Sequence, residues 1–514
     1  MKKQSLIKGT LILGVASIFA RFLGLFFRIP LQGLIGDEGM GYYQMSYPLY
    51  MMFVAVASGI PIAVSKIISE MNAKKDTGGI IYVLRLTLII MIPIGGIFSM
   101  MLLLFSKEII FVLKWNIKSY YAFTAVAIAP IFVVILGTFR GFFQGLQDMR
   151  PTAVSQIIEQ IGRVSFGVGL AVMLFPKGIE YAAGGAALGT VIGAIFGTLY
   201  LIIKYARIRR EIIFGKYKNK ANVMKKIIRV AVPISFGAAV GTVMGLMDSI
   251  LVPQGLLKAG FNSRNAAIVY GQLTGKAATL ANVPMALSIA LCSSIVPIIS
   301  EAFVMNRRLE LSKKVEIAIK LSCVISIPSA LGLFFMAHPI MNLVFQGDVG
   351  GFKILKVLSI AIPFIVLCQS STALLQAMNK FFEPVLNLLI GCIIKVILTY
   401  ILVPIPKINI YGAVIGTIIG YVIVCILNMN LLRKNLKMPI NYYEVTVKPG
   451  YAATIMIFSV VFTYNYVYNN TVNNTISTMI SIVVGITVYA FFIVIFGVFK
   501  YSDIMRKVSG KFKH

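Results

Sequence analysis

The apolar run Gly9–Leu31, GTLILGVASIFARFLGLFFRIPL, carries two arginines and no carboxylate. Arg21 lies well inside the run and Arg28 near its far end. Their spacing is close to two helical turns, so a helix presents both on one face. An arginine at the centre of a spanning helix costs about 2.5–3.5 kcal/mol on insertion scales, unless a water-filled cavity or an anionic partner offsets it. Its planar fork makes bidentate, charge-assisted bonds that suit phosphate. Arg163 and Lys395 lie about midway along two later apolar runs, and Lys276 lies toward the outer end of another. Together these basic residues are the candidate binding groups, and their sign selects an anion.

Carboxylates in comparable places are fewer. Glu159 precedes Arg163 by four residues, a spacing that predicts a self-neutralised pair on one helix face. Lys395 has Gly391 in the corresponding place and is expected to face a cleft. Asp248 lies toward the outer end of its run, and Asp37 in the acidic connection after the first run. With Glu159 they are the candidates for charge pairing or ion coupling. Lys66, Arg85, Arg140 and Lys320 stand near the ends of runs, where snorkelling to the headgroups is expected.

The elements that must position these groups follow from composition. The chain has 514 residues, 58% hydrophobic and 13% charged, with mean hydropathy +0.89. A spanning helix needs about 20 mostly apolar residues. Fourteen runs qualify, near 9–31, 45–69, 80–106, 121–143, 152–175, 181–204, 227–252, 272–300, 316–338, 352–378, 384–406, 411–432, 447–468 and 475–500. The fold class is therefore an all-α polytopic membrane protein.

The net charge is 48 − 17 = +31. Without an aromatic–basic module this does not indicate nucleic acid. The basic residues gather in alternate short connections: Lys74 and Lys75, the long stretch from Lys204 to Arg229, Arg307 to Lys314, and Arg433 to Lys437. By the positive-inside rule both termini are cytoplasmic, and these loops face anionic lipid. The five cysteines lie in apolar runs without metal-type spacing, and with two histidines a His-based metal site is not expected.

The chain also repeats itself. IISE at Ile67–Glu70 recurs at Ile298–Glu301, FFQGLQDMRP at Phe142–Pro151 aligns with Leu374–Pro384, and GAALGTVIG at Gly185–Gly193 recurs as GAVIGTIIG at Gly412–Gly420. Arg163 and Lys395 occupy matching places in this repeat. Each copy holds six runs, so the expected architecture is two parallel six-helix bundles, 1–210 and 211–440, plus two added helices in 441–514. Two such bundles leave a central cleft that rocking exposes to alternate sides. Glycines four apart, at Gly185–Gly197, Gly237–Gly245 and Gly412–Gly420, are expected to support close helix packing. GQLTGKA at Gly271–Ala277 is one residue short of a P-loop and lacks the following Ser/Thr. With no GxSxG or HExxH sequence, an enzyme is not expected.

The stretch ASIFARFLGLFFRIPLQGLIGDEGMGYYQ (Ala16–Gln44) resembles the start of bacterial MurJ-like proteins. With Tyr47–Ala73 and Asn282–Phe303, it is more similar to the Gram-positive branch that includes stage V sporulation protein B and the YtgP-type lipid II flippases. The resemblance covers essentially the whole chain. It implies a member of the multidrug/oligosaccharidyl-lipid/polysaccharide (MOP) exporter superfamily in the bacterial cytoplasmic membrane. Such proteins move undecaprenyl-pyrophosphate-linked saccharides to the outer leaflet without a cofactor. It further implies lipid II as cargo, a role in spore cortex or envelope peptidoglycan, and membrane lipids and the cell-wall synthesis machinery as partners. The family's first-helix arginines map onto Arg21 and Arg28, and its following acidic residue onto Asp37. Its span-eight arginine is absent, with Lys276 the nearest basic residue. The rival readings are a drug/cation antiporter, which would use Glu159 or Asp248, another polysaccharide-lipid exporter, and a non-transporting scaffold.

Overall fold

The computed structural model describes residues 6–209, 223–436, 441 and 443–498; within its helices, the side chains of 6–15, 17, 18, 21, 25, 26, 209 and 289–298 are outside the described set. Most of the basic sixth connection and the C-terminal tail lie outside the described residues. Among those described, the chain is helical and has no strand.

The first helix, α1 (Leu6–Ala57), is broken inside at Gly36, where φ is 63°. That left-handed conformation carries little penalty for glycine. The residues expected to form the first connection are therefore helical on both sides of a one-residue break. Asp37 and Glu38 open the second half, where a helix N-terminus favours carboxylates. After α2 (Gly59–Ala73), the Asp76 side chain accepts from the Gly79 amide and caps α3 (Thr77–Leu104). The short α4 (Ser106–Val112) and α5 (Tyr120–Ala127) lead into α6 (Ala129–Gly145), α7 (Arg150–Leu174), α8 (Ile179–Arg209) and α9 (Val223–Lys258). The expected eighth span is composite: α10 (Ser263–Gly271), a π-helical turn at Gln272–Ala277, and α11 (Ala278–Val304). The rest comprises α12 (Arg308–Phe335), α13 (Ala337–Val344), α14 (Phe352–Leu358), α15 (Ile362–Ala377), α16 (Phe382–Leu402), α17 (Tyr411–Leu436), α18 (Lys448–Thr471) and α19 (Asn474–Ile495).

Among the described residues, twelve segments are long and apolar enough to cross a membrane. One, Phe22–Ala73, takes in the latter part of the first expected span and all of the second, on either side of Gly36. Helix α11 follows the eighth expected run. The all-helical, polytopic reading thus holds, with about fourteen crossings.

The helices pack as two units, the first reaching Gly275 and including Thr399–Ile410, the second comprising Lys276–Leu398 and the chain from Tyr411. This division by packing does not coincide with the division suggested by the repeat. In the first unit, Val64, Ile68, Val83, Phe142 and Phe143 centre a core built from α2, α3 and α6. Helices α7 and α8 approach backbone to backbone. A Cβ built on Gly189 would stand 2.4 Å from Gly167 Cα, and one on Gly193 would stand 2.3 Å from the Glu159 carbonyl oxygen. The second unit's core holds Val315, Ile319, Leu375 and Leu432. Its helix α18 packs on α19 and α12.

The glycine series on α9 departs from expectation: Cβ atoms built on Gly237, Gly241 and Gly245 meet open space rather than a neighbouring helix. Small residues at helical spacing permit close approach but do not require it. Gly189→Val is therefore expected to lower the detergent melting temperature by several degrees, consistent with the roughly 1–3 kcal/mol cost of overpacking. Gly241→Ala should leave it within about a degree, because nothing has to move and alanine is the better helix former.

Candidate functional site

In the first unit, α1 brings Tyr43, Tyr47 and Tyr50 along one helical face, and α7 brings Arg163 against them. Arg163 is 9% exposed. Its Nη2 donates to the Tyr43 hydroxyl at 3.0 Å, and its Cζ lies 4.9 Å from the Tyr47 ring centre and 5.5 Å from that of Phe27. Its Nε is buried and has no hydrogen-bond partner among the described residues. Arg28 approaches the same Tyr47 ring at 5.8 Å and donates to the Thr274 carbonyl at 3.4 Å. Tyr43 and Tyr47 stack with centroids 5.4 Å apart, and Tyr50 lies 5.8 Å beyond Tyr47. Ring quadrupoles stabilise these cations by about 0.5–2 kcal/mol each, without neutralising them.

The expected Glu159–Arg163 pair is not formed. Glu159 instead accepts from Arg140 Nη2 at 2.7 Å, while Arg140 Nε donates to the Ser155 hydroxyl at 3.0 Å. Side chains lean toward a helix's N-terminus, which directs Glu159 to the Ser155 side of α7, facing α6. Arg140, expected to snorkel outward, turns inward to meet it.

Farther along α1, Asp37 accepts from Gln32 at 2.6 Å and from Gln272 at 2.9 Å. The crossing of α1 with α10 is very close: Cβ atoms on Gly41 and Gly271 would each lie 2.1 Å from a carbonyl oxygen of the other segment. A π turn departs from the regular bonding ladder. Here the Thr274 carbonyl receives both Arg28 and Gln44 side chains. Asp248 on α9 is half-buried and within electrostatic reach of Tyr270. Arg21 lies on α1, but its side chain is outside the described residues.

In the second unit, Lys276 is fully buried, with Nζ 2.5 Å from Asp348 and 5.8 Å from the Phe345 ring centre. The P-loop-like sequence around it is part of a π-helical turn that leads into α11. Lys395 is 5% exposed. Its setting repeats that of Arg163: a Cβ built on Gly420 would lie 3.2 Å from Lys395 Cβ, the distance that separates one on Gly193 from Arg163 Cβ. The repeat read from sequence is therefore matched by the packing of its basic residues.

The same unit contains an apolar groove of about 610 Å³ between α12, α15 and α18, lined by Leu331, Phe334, Pro363, Phe364, Gly450 and Tyr451. The sequence reading missed the partners Tyr43, Tyr47, Gln272 and Asp348. The tyrosine spacing was a visible signal, whereas Asp348 gave none.

The chain is thus an all-helical membrane bundle with basic residues inside its spanning helices and an apolar groove in its second unit. The fold is that of the MOP exporter superfamily, shared with MurJ and MATE transporters. The chain belongs to the polysaccharide biosynthesis protein family, whose model matches residues 6–303. It is similar to stage V sporulation protein B of Bacillus subtilis, with 30% identity over 453 residues and 86% of each chain covered. It is also 26% identical over 440 residues to lipid II flippase MurJ of that organism, covering 80% of each. A solved lipid II flippase MurJ in an inward closed conformation has TM-score 0.71 and 19% identity, with 96% of this chain and 100% of that one covered. The chain is a multi-pass membrane transporter, not an enzyme.

Removing one member of the Arg140–Glu159 pair leaves a largely buried charge. Arg140→Gln is expected to destabilise the protein by about 1.5–3 kcal/mol. Arg140→Gln combined with Glu159→Gln should recover part of that loss, and thermal melting of the single and double variants measures the coupling.

Proposed function

We propose that the protein moves an undecaprenyl-pyrophosphate-linked cell-wall precursor, lipid II, from the cytoplasmic to the outer leaflet by alternating access. The observation that carries this reading is the sign of the charge inside its spanning helices. Arg28, Arg163, Lys276 and Lys395 are buried or half-buried there, while Glu159 is engaged by Arg140 and Asp37 by two glutamines. A lipid pyrophosphate is the kind of anion such groups hold, with Arg21 and Arg28 contributing guanidinium forks. The groove beside α18 suits an apolar polyprenyl chain. A cation antiporter needs a membrane carboxylate open to its ion, and the Arg140 partnership of Glu159 favours the flippase instead.

The two relatives supply the biological setting we propose: peptidoglycan for the spore cortex or envelope, in the cytoplasmic membrane, with both termini cytoplasmic and the cell-wall synthesis machinery alongside. We retain the repeat-based division at 210 and 440 as the proposed ancestry of the bundles. Asp248 remains our proposed charge-pairing or coupling residue.

Proteoliposomes loaded with labelled lipid II test the assignment. Arg21→Ala should abolish translocation, and Arg28→Ala or Arg163→Ala should slow it by at least about tenfold, the rate equivalent of 1.4 kcal/mol. Gly450→Trp, which fills the groove, should slow lipid II while sparing binding of a water-soluble pyrophosphate. Normal transport by a folded Arg21→Ala protein would sink the assignment.

A further inference from the structure

Lys276 has no solvent exposure, whereas the side chain of its partner Asp348 is 49% exposed. The cation belongs to a π-helical turn, and the carboxylate to the connection between α13 and α14. That connection turns through Gln346, Gly347 and Gly351, all at positive φ. Asp348 Oδ1 accepts from the Gly350 amide at 3.0 Å, while Oδ2 faces the lysine. A buried ammonium is thus joined to an acid that is half in solvent and carried on a glycine-flanked loop. This geometry differs from that of Glu159 and Arg140, which both stand on helices and are both largely buried.

A buried cation needs an anion close by, and removing that anion exposes the full desolvation penalty. We propose that Asp348 is a resident counter-ion, occupying the anion position of Lys276 until the cargo's pyrophosphate displaces it. The inference rests on the reading of Lys276 as a cargo contact. It makes Asp348 a positioning residue that lowers apparent affinity. Cargo binds the fraction of molecules in which the carboxylate has withdrawn, and its dissociation constant rises by that fraction's inverse. In the resting protein the carboxylate sits at the lysine, and it returns there after release. Exchanging one anion for another also keeps the cargo from being held too tightly to leave.

The test uses full-length protein in nanodiscs, with farnesyl pyrophosphate as the anionic probe and an amine-reactive reagent mapped at Lys276 by mass spectrometry. Asp348→Asn should tighten probe binding by about tenfold, a change of 1.4 kcal/mol. It should also raise Lys276 labelling, and the probe should suppress that labelling. Lys276→Gln combined with Asp348→Asn should lose the gain, and Asp348→Glu should behave like the parent protein. Unchanged or weaker probe binding by a folded Asp348→Asn protein overturns the inference, even if labelling rises, because Asp348 is then a brace rather than a competitor. Should the parent protein and every variant fail to bind the probe, the flippase reading of the cargo falls first, and the inference falls with it.

Discussion

A cation inside a bundle of apolar helices must be met by other polar groups, and the way each one is met decides whether its charge stays available. Two unit charges 4 Å apart attract by about 4 kcal/mol at an effective dielectric of 20. A ring face contributes about 0.5–2 kcal/mol and leaves the positive charge in place. Arg28 and Arg163 are met by tyrosine rings, a hydroxyl and a carbonyl. Arg140 and Lys276 are met by carboxylates. Around Tyr47 the first unit thus meets its cations with ring faces, a hydroxyl and a carbonyl. Glu159, four residues before Arg163, is committed to a different arginine.

Backbone packing makes this arrangement possible. Arg163 reaches the tyrosines from a helix whose backbone at Glu159, Arg163 and Gly167 lies against glycines of α8, with Gly189 and Gly193 removing the side chains that would hold α7 away. Lys395 is seated against Gly420 in the equivalent manner. One packing solution for a basic residue at mid-helix thus occurs twice in the chain. The π turn supplies the complementary device, a carbonyl at Thr274 that serves two side chains from α1.

Much of this was legible in the sequence. Apolar run length fixes the crossings, and the repeated GAALGTVIG and GAVIGTIIG blocks point to the shared settings of Arg163 and Lys395. Other features depend on tertiary contacts that helical spacing does not encode. Four-residue spacing puts Glu159 within reach of Arg163, but α6 offers Arg140 in better geometry. Lys276 reads as an outer-end residue until a loop some seventy positions later folds over it. The one-residue break at Gly36 is hidden because an acidic, glycine-containing stretch reads equally well as a loop. The open side of Gly237–Gly245 shows the same limit: spacing identifies a smooth helix face and leaves unstated what lies against it.

The crossing of α1 and α10 also bears on how the protein is made. Asp37 and Gln272, which are hydrogen-bonded, are 235 residues apart. At a synthesis rate of 5–20 residues per second, roughly 10–50 s separate the emergence of the two. During that interval the first two spans are in the membrane without the glycine-lined surface they will pack against. Gln44 and Arg28 likewise await the Thr274 carbonyl. The N-terminal helices must therefore persist as a provisional, incompletely satisfied assembly until the eighth span arrives. The insertion machinery, lipid headgroups or water have to serve those polar groups in the meantime.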